Sequence, residues 1–215
     1  MKVVIIGATG ATGKELLKLL LNDKCITEVV ALIRNPTTIN HQKLKSIVVN
    51  FDHLKEWKYL IQADVAISCL GTTLKIAGSK KEQYKVDYTY QYHFAQIAKE
   101  NRIPTFVLIS STSASKNSFF FYSKMKGELD EAILKMNFNN TIIFKPGPLI
   151  RPNSDRNGEK LGVKLLRFLN TIGIAKNLSP IEVENLAKIM LNNIKNIKSG
   201  PYILESKDIV NQITK

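Results

Sequence analysis

An apolar β-branched run, Val3 to Ile6, stops at Gly7, and Gly10 and Gly13 follow as a helical pattern begins. A buried strand that turns through glycines into a helix is a device for holding a phosphate. Gly7 permits a tight turn, Gly10 lets the backbone come close to a ligand, and Gly13 lets the helix pack on the strand. Free N–H groups at the helix start then face the anion. The spacing is Gly-x-x-Gly-x-x-Gly rather than the commoner Gly-x-Gly-x-x-Gly. The stretch predicts a dinucleotide site formed by Gly7, Thr9, Gly10, Ala11, Thr12 and Gly13.

Strand-like runs and helical patterns alternate after that start. The runs are Val3–Ile6, Glu28–Ile33, Ser46–Val49, Asp64–Cys69, Thr105–Ser110 and Thr141–Lys145. Most are continuous and β-branched, as expected of strands covered on both faces. Helical patterns lie near Ala11–Asn22, His53–Gln62, Lys80–Asn101 and Tyr122–Met136. Right-handed crossovers then give an α/β, doubly wound parallel sheet of strand order 3-2-1-4-5-6, Rossmann-like, with its ligand crevice beyond the carboxyl ends of the strands. After Pro146-Gly147-Pro148, helices are expected at Gly158–Asn170 and Ser179–Asn196. A seventh strand is expected at Pro201–Glu205 and a short helix at Lys207–Thr214. At 215 residues one domain is expected, with 148–215 packed on the sheet as its substrate side.

Composition excludes several classes. No apolar run reaches the ~18–20 residues of a membrane span. Cys25 and Cys69 suggest no disulfide framework, and His41, His53 and His93 form no metal motif. With no apolar leader either, a cytoplasmic setting is the default expectation. The net charge of +13 follows a general bias, 26 lysines against 5 arginines with 18 asparagines. No basic block is interleaved with aromatics, so nucleic acid is not the expected partner. Monomer and homodimer are both open.

The second strand runs into Arg34, with no acid after it; Glu28 sits at its start. A carboxylate there would suit the ribose 2′-hydroxyl of NAD, whereas an arginine suits a 2′-phosphate, so NADP is expected, with NAD as the alternative. Asp52, after the third strand, is a candidate for the adenine. The fifth strand delivers Ser110, Ser111 and Thr112 to the ligand side, and eleven residues after Ser111 comes Tyr122, then Lys126. Tyr-x-x-x-Lys on a helix puts both side chains on one face. A phenol titrates near ~10, and a nearby ammonium favours its phenolate. Tyr122 is thus the candidate proton donor to a carbonyl oxygen, Ser111 the polarising hydroxyl and Lys126 the supporting cation. Ser110 and Thr112 are the neighbouring alternatives to Ser111.

Further motifs stand in the same order. They are Cys69-Leu70-Gly71-Thr72-Thr73 with Lys75 and Ala77-Gly78, then Val86-Asp87-Tyr88 and Leu108-Ile109-Ser110-Ser111. Tyr122 to Lys126 with Gly127-Glu128, Lys145-Pro146-Gly147 and Met190-Leu191-Asn192-Asn193 complete them. Together they resemble the atypical short-chain dehydrogenase/reductases, in the branch of the Tat-interacting-protein-like oxidoreductases. The resemblance implies an NADP-binding Rossmann domain with a Ser, Tyr and Lys of catalytic type. It implies that Cys69, Leu70, Gly71 and Thr72 lie along the ribose and pyrophosphate, and that Pro146 and Gly147 border the nicotinamide. An ordinary turn closing the sixth strand is the competing reading of those two residues. Asp87 stands where many relatives have an asparagine that supports the lysine. The expected function is NADP-dependent hydride transfer to a small carbonyl substrate. An NADP-binding sensor or regulatory protein and a flavin or quinone reductase are the alternatives, because fold and cofactor do not fix function.

Overall fold

In the computed structural model, which describes residues 1–151 and 179–213, strand β1 (Lys2–Ile6) is the centre of the molecule. It pairs in parallel with β2 (Glu28–Ile33) on one side and β4 (Val65–Ser68) on the other. Beyond β2 lies β3 (Leu44–Val48), and beyond β4 lie β5 (Thr105–Ile109) and β6 (Asn140–Lys145). Two-residue strands β7 (Leu149–Ile150) and β8 (Ile181–Glu182) form a separate parallel pair. The last strand, β9 (Gly200–Glu205), joins β6 in parallel. The main sheet therefore has the order β3-β2-β1-β4-β5-β6-β9, the expected order with its seventh strand.

The β1 sequence explains its central place. Val3 and Ile5 enter one core and Val4 and Ile6 the other, all fully buried. On the first face, helices α1 (Ala11–Asn22) and α6 (Val183–Lys195) contribute Leu16, Leu20, Leu186 and Met190. On the second, α4 (Tyr90–Glu100) and α5 (Phe121–Lys135) contribute Phe94, Ala98, Leu129 and Ile133. Each of the larger of these side chains contributes about 1.5–3 kcal/mol on burial, so packing rather than helix propensity holds these helices.

The local departures from expectation have identifiable causes. Phe51–Leu60 forms 3₁₀ turns rather than an α-helix, with non-helical backbone at His53 and Trp57. The Asn50 side chain accepts from Asp52 N–H, and its carbonyl accepts from the Trp57 indole at 2.9 Å. These bonds compete with a regular helix. The helix expected over Lys80–Asn101 is α3 (Lys80–Tyr84), a wide π turn (Lys85–Thr89) and then α4. Ahead of it a short α2 (Leu74–Ala77) is capped by Thr73. Beyond β8, α6 starts at Val183, four residues later than expected, and α7 (Ser206–Asn211) closes the described chain. The helix expected at Gly158–Asn170 and the end of the last one, Thr214, lie outside the described residues.

Candidate active site

The β1–α1 turn has the geometry that its glycines require. Gly7 has φ +77°, a left-handed conformation, and its carbonyl accepts from Gly10 N–H at 3.0 Å. A Cβ on Gly7 would lie 2.6 Å from the Leu70 nitrogen, because the loop after β4 crosses directly over it. A Cβ on Gly13 would lie 2.9 Å from the Gly7 carbonyl carbon. Gly10 differs: a Cβ there would meet only the Gly7 and Cys69 carbonyl oxygens, at 3.3 and 3.9 Å. Gly7 and Gly13 thus serve backbone packing, and Gly10 faces outward at the start of α1. No side chain caps that helix start, and its first turn holds no carboxylate. Its first-turn N–H groups are available to an anion.

Two clefts open on either side of this turn. One, of about 200 Å³, is lined by Gly7, Thr9, Gly10, Leu32, Ile33, Arg34, Phe51, Cys69, Leu70 and Gly71. The other, of about 510 Å³, runs from Gly10, Ala11 and Thr12 past Cys69–Thr72 to Tyr122 and Lys126. The two clefts share Gly10, Cys69, Leu70 and Gly71, and together they form a groove lined by most of the expected cofactor residues. Gly13 lies beneath it, packed on Gly7.

Asp52 is placed elsewhere. Its carboxylate accepts from Tyr90 Oη at 2.7 Å and pairs with Lys85 Nζ at 2.6 Å. These partners hold it below the usual carboxylate range. It borders a separate cleft with His53 and His93, and the neighbouring Phe51 lines the groove in its place. Pro146 and Gly147 also stand back from the groove's lining. The Pro146 carbonyl accepts from Thr112 N–H at 3.0 Å, and a Cβ on Gly147 would overlap the Ser179 carbonyl. They fasten the serine loop and the C-terminal segment together.

The β5 and α5 elements bring Ser110, Tyr122 and Lys126 into the lining of the larger cleft, and Ser111, next to Ser110 along the chain, stands just outside that lining. Ser110 is buried; Ser111 bonds the Ser113 hydroxyl at 3.1 Å and lies beside the Tyr122 phenol. Tyr122 is 39 % exposed. Burial first, and then the Asp87 carboxylate, push that phenol up to about 12; the Ser111 hydroxyl acts the other way. The expected lowering by Lys126 is not what the protein's own field produces. Lys126 is fully buried, donates to the Ile109 carbonyl at 3.2 Å, and faces the carboxylates of Asp87 and Asp130. Burial lowers its ammonium, and the two carboxylates counter that.

Asp87 comes from the π turn and is 1 % exposed. It accepts from Thr72 N–H at 3.1 Å. Burial raises its carboxyl to about 6 against the pull of Lys126 and Thr72. Asp130 sits one helical turn beyond Lys126, paired with Lys145 at 3.3 Å. Leu74, Ile76, Gln83, Leu149 and Arg151 complete the cleft wall. None of these five was singled out by the sequence motifs.

The groove and its glycine turn agree with comparison to known proteins. A family model described as NAD(P)H-binding matches residues 7–194. The chain belongs to that family. It is 33 % identical over 214 residues to Protein HTATIP2 of Rattus norvegicus, covering 97 % of this chain and 87 % of the relative. It is 34 % identical over 194 residues to the mitochondrial protein FMP52 of Meyerozyma guilliermondii, covering 87 % of this chain and 83 % of that one. Among solved structures, the oxidoreductase ylbE of Lactococcus lactis aligns with TM-score 0.68 at 18 % identity, covering all of this chain and 98 % of that one. The Bordetella bronchiseptica enzyme WbmH in complex with NAD+ aligns at TM-score 0.69 and 15 % identity, over 95 % of this chain and 75 % of that one. These likenesses establish an NAD(P)-binding Rossmann fold of the atypical short-chain dehydrogenase/reductase type.

They also overturn the cytoplasmic expectation, because the FMP52 relatives are named mitochondrial. That expectation rested on free cysteines and the lack of an apolar leader. Mitochondrial addresses are basic and amphipathic rather than apolar, so neither feature separates the compartments.

Proposed function

We propose that the protein is an NADPH-dependent reductase of small carbonyl compounds. The observation that carries the reading is the cleft of about 510 Å³ beside Tyr122, continuous with the uncapped start of α1. That volume lies within the usual range for small-molecule sites. The dinucleotide fits the residues present. Gly10 leaves the helix start open to a pyrophosphate, and the Cys69–Thr72 loop, tied to β1 by Cys69 N–H on the Ile6 carbonyl at 3.0 Å, flanks it. Arg34 lines the smaller cleft, whose lining contains no carboxylate. This supports a 2′-phosphate, and hence NADP over NAD.

NADPH, when bound in this groove, would supply the hydride that the carbonyl carbon receives. Tyr122 gives its phenolic proton to the carbonyl oxygen as the C=O π pair moves onto that oxygen. Ser111 donates a hydrogen bond to the same oxygen. Lys126, with one N–H on Ile109, has two donors left for ribose hydroxyls. The Tyr122 phenolate then regains a proton from solvent. Leu74, Ile76 and Leu149 offer the substrate an apolar wall and Arg151 a cationic one.

The test is NADPH consumption over a panel of aldehydes and ketones. Wild type consumes NADPH with at least one of them. Tyr122→Phe binds NADPH with unchanged affinity and loses at least a hundredfold in rate, the lower end for a general acid. Full activity in Tyr122→Phe overturns the mechanism, and tight NADPH binding without turnover overturns the reductase reading in favour of a sensor.

A further inference from the structure

Helix α3 buries one side chain, and it is an amide. Of its residues only Gln83 is buried, at 5 % exposure. The turn that carries it is fixed. Glu82 N–H donates to the Ser79 hydroxyl at 3.1 Å, and Gln83 N–H donates to the Ser79 carbonyl at 2.9 Å. Gln83 lines the cleft beside Tyr122, and its side-chain amide makes no hydrogen bond within the described residues. A buried amide without a partner has given up water for nothing, which is costly unless a ligand completes it. The Ser110 hydroxyl, buried in the same lining, is unpartnered too.

The charges and the apolar surface of the cleft set the kind of ligand. Its lining holds two cations, Lys126 and Arg151, against one carboxylate, Asp87, which already accepts from Thr72 N–H. Lys126 is buried and donates to the Ile109 carbonyl, whereas Arg151 is exposed. The backbone leading to Arg151 is held by the pairing of β7 with β8 and by Ile181 N–H on the Pro148 carbonyl at 3.0 Å. A guanidinium offers paired donors that match a carboxylate. Leu74 and Ile76 of α2 are 47 % and 65 % exposed, and with Leu149 they give the cleft an aliphatic wall. Large aliphatic side chains exposed along a cleft suit a ligand with an apolar body.

We propose that the cleft takes an oxo acid, a carbonyl compound with an aliphatic chain and a carboxylate. Arg151 pairs with the carboxylate, and the Gln83 amide donates to one of the compound's oxygens. The inference rests on the reading of the protein as a carbonyl reductase and narrows its substrates to anionic ones. The product is then a hydroxy acid. The hydride from NADPH ends on the carbonyl carbon and the Tyr122 proton on the carbonyl oxygen, while the carboxylate is unchanged.

The experiment pairs acids with their neutral esters. The probes are the oxohexanoates, which carry the carbonyl at successive positions along one chain, and their methyl esters, with NADPH consumption as the readout. In wild type the best acid exceeds its ester about tenfold or more in kcat/KM, the range of a charge-assisted pair. Arg151→Met raises the KM of that acid about tenfold or more beyond any change for the ester, and NADPH affinity stays within about twofold. Gln83→Leu raises the KM of the acid about fivefold without lowering the Tm, since the amide it removes has no partner in the protein. An ester used as well as its acid, or equal losses for acid and ester in Arg151→Met, overturns the proposal. So does an Arg151→Met defect that lies in NADPH affinity. An unchanged KM in Gln83→Leu overturns the part given to Gln83. Calorimetric binding of hexanoate, which has no carbonyl to reduce, to the protein loaded with NADP+ separates this inference from the reductase reading. Hexanoate binding that Arg151→Met weakens, without reduction of any probe, supports the anion site and refutes the reductase. Reduction of acids and esters alike, with no hexanoate binding, refutes the anion site alone.

Discussion

Gly10 and Gly13 sit three residues apart, yet alanine at each should fail in a different way. At Gly13 a Cβ lies 2.9 Å from the Gly7 carbonyl carbon and 3.1 Å from Ala8 Cα, and closer still to the Gly7 oxygen. Ordinary carbon contacts are about 3.5–4.0 Å, so α1 must slide outward by more than about 0.5 Å against rigid backbone. Overpacking of this kind costs about 1–3 kcal/mol. For a chain of this size that lowers the Tm by about 2–12 °C. At Gly10 the backbone has φ −76°, which alanine adopts, and the nearest atom is a single oxygen at 3.3 Å. Gly10→Ala therefore moves the Tm by no more than about 3 °C, under 1 kcal/mol, but puts a methyl group where the pyrophosphate would sit. NADPH affinity, followed by nucleotide fluorescence, falls at least tenfold, a change of about 1.4 kcal/mol. Unchanged affinity in Gly10→Ala refutes the assignment of the anion to this helix start. An unchanged Tm in Gly13→Ala refutes the packing argument.

Arg34→Ala weakens NADP binding by about ten- to a hundredfold, the range for a lost charge-assisted hydrogen bond, and leaves NAD binding within about twofold. Equal losses for the two cofactors contradict a role in reading the 2′-phosphate. Asp87 makes stability depend on pH. Its folded value, about 6, lies above the unfolded one, about 3.9, so the folded chain keeps this proton longer. That contribution is full below about pH 4 and is lost as pH rises through about 6. Denaturant titrations from about pH 4 to 7 should show wild type losing about 3 kcal/mol relative to D87N, and parallel profiles contradict this.

What the sequence disclosed about the fold and site follows the range of the interactions involved. The β1–α1 turn is legible because strand, glycines and helix are contiguous, and each glycine's neighbour lies within a few residues or in the loop after β4. The Tyr122–Lys126 pair is legible through its helical spacing, but its electrostatics are not. Those depend on Asp87, about forty residues earlier, and on a π turn whose extra residue leaves no mark in an apolar pattern. The place of Asp52 depends on Lys85 and Tyr90, more than thirty residues away, which pull its carboxylate toward α4. Strands β7 and β8 are too short for any periodicity to show. The late start of α6 has the same origin, since Ile181–Glu182 is drawn into a strand by pairing with Leu149–Ile150.

The most direct test of the reductase chemistry is isotope transfer. Wild type is incubated with NADPH deuterated at the transferring position of C4 and with the carbonyl compound that supports turnover, and the product alcohol is analysed by mass spectrometry and NMR. One deuterium is expected on the former carbonyl carbon, with no such product from Tyr122→Phe. A product without deuterium, or the same labelled yield from Tyr122→Phe, contradicts direct hydride transfer completed by the Tyr122 proton.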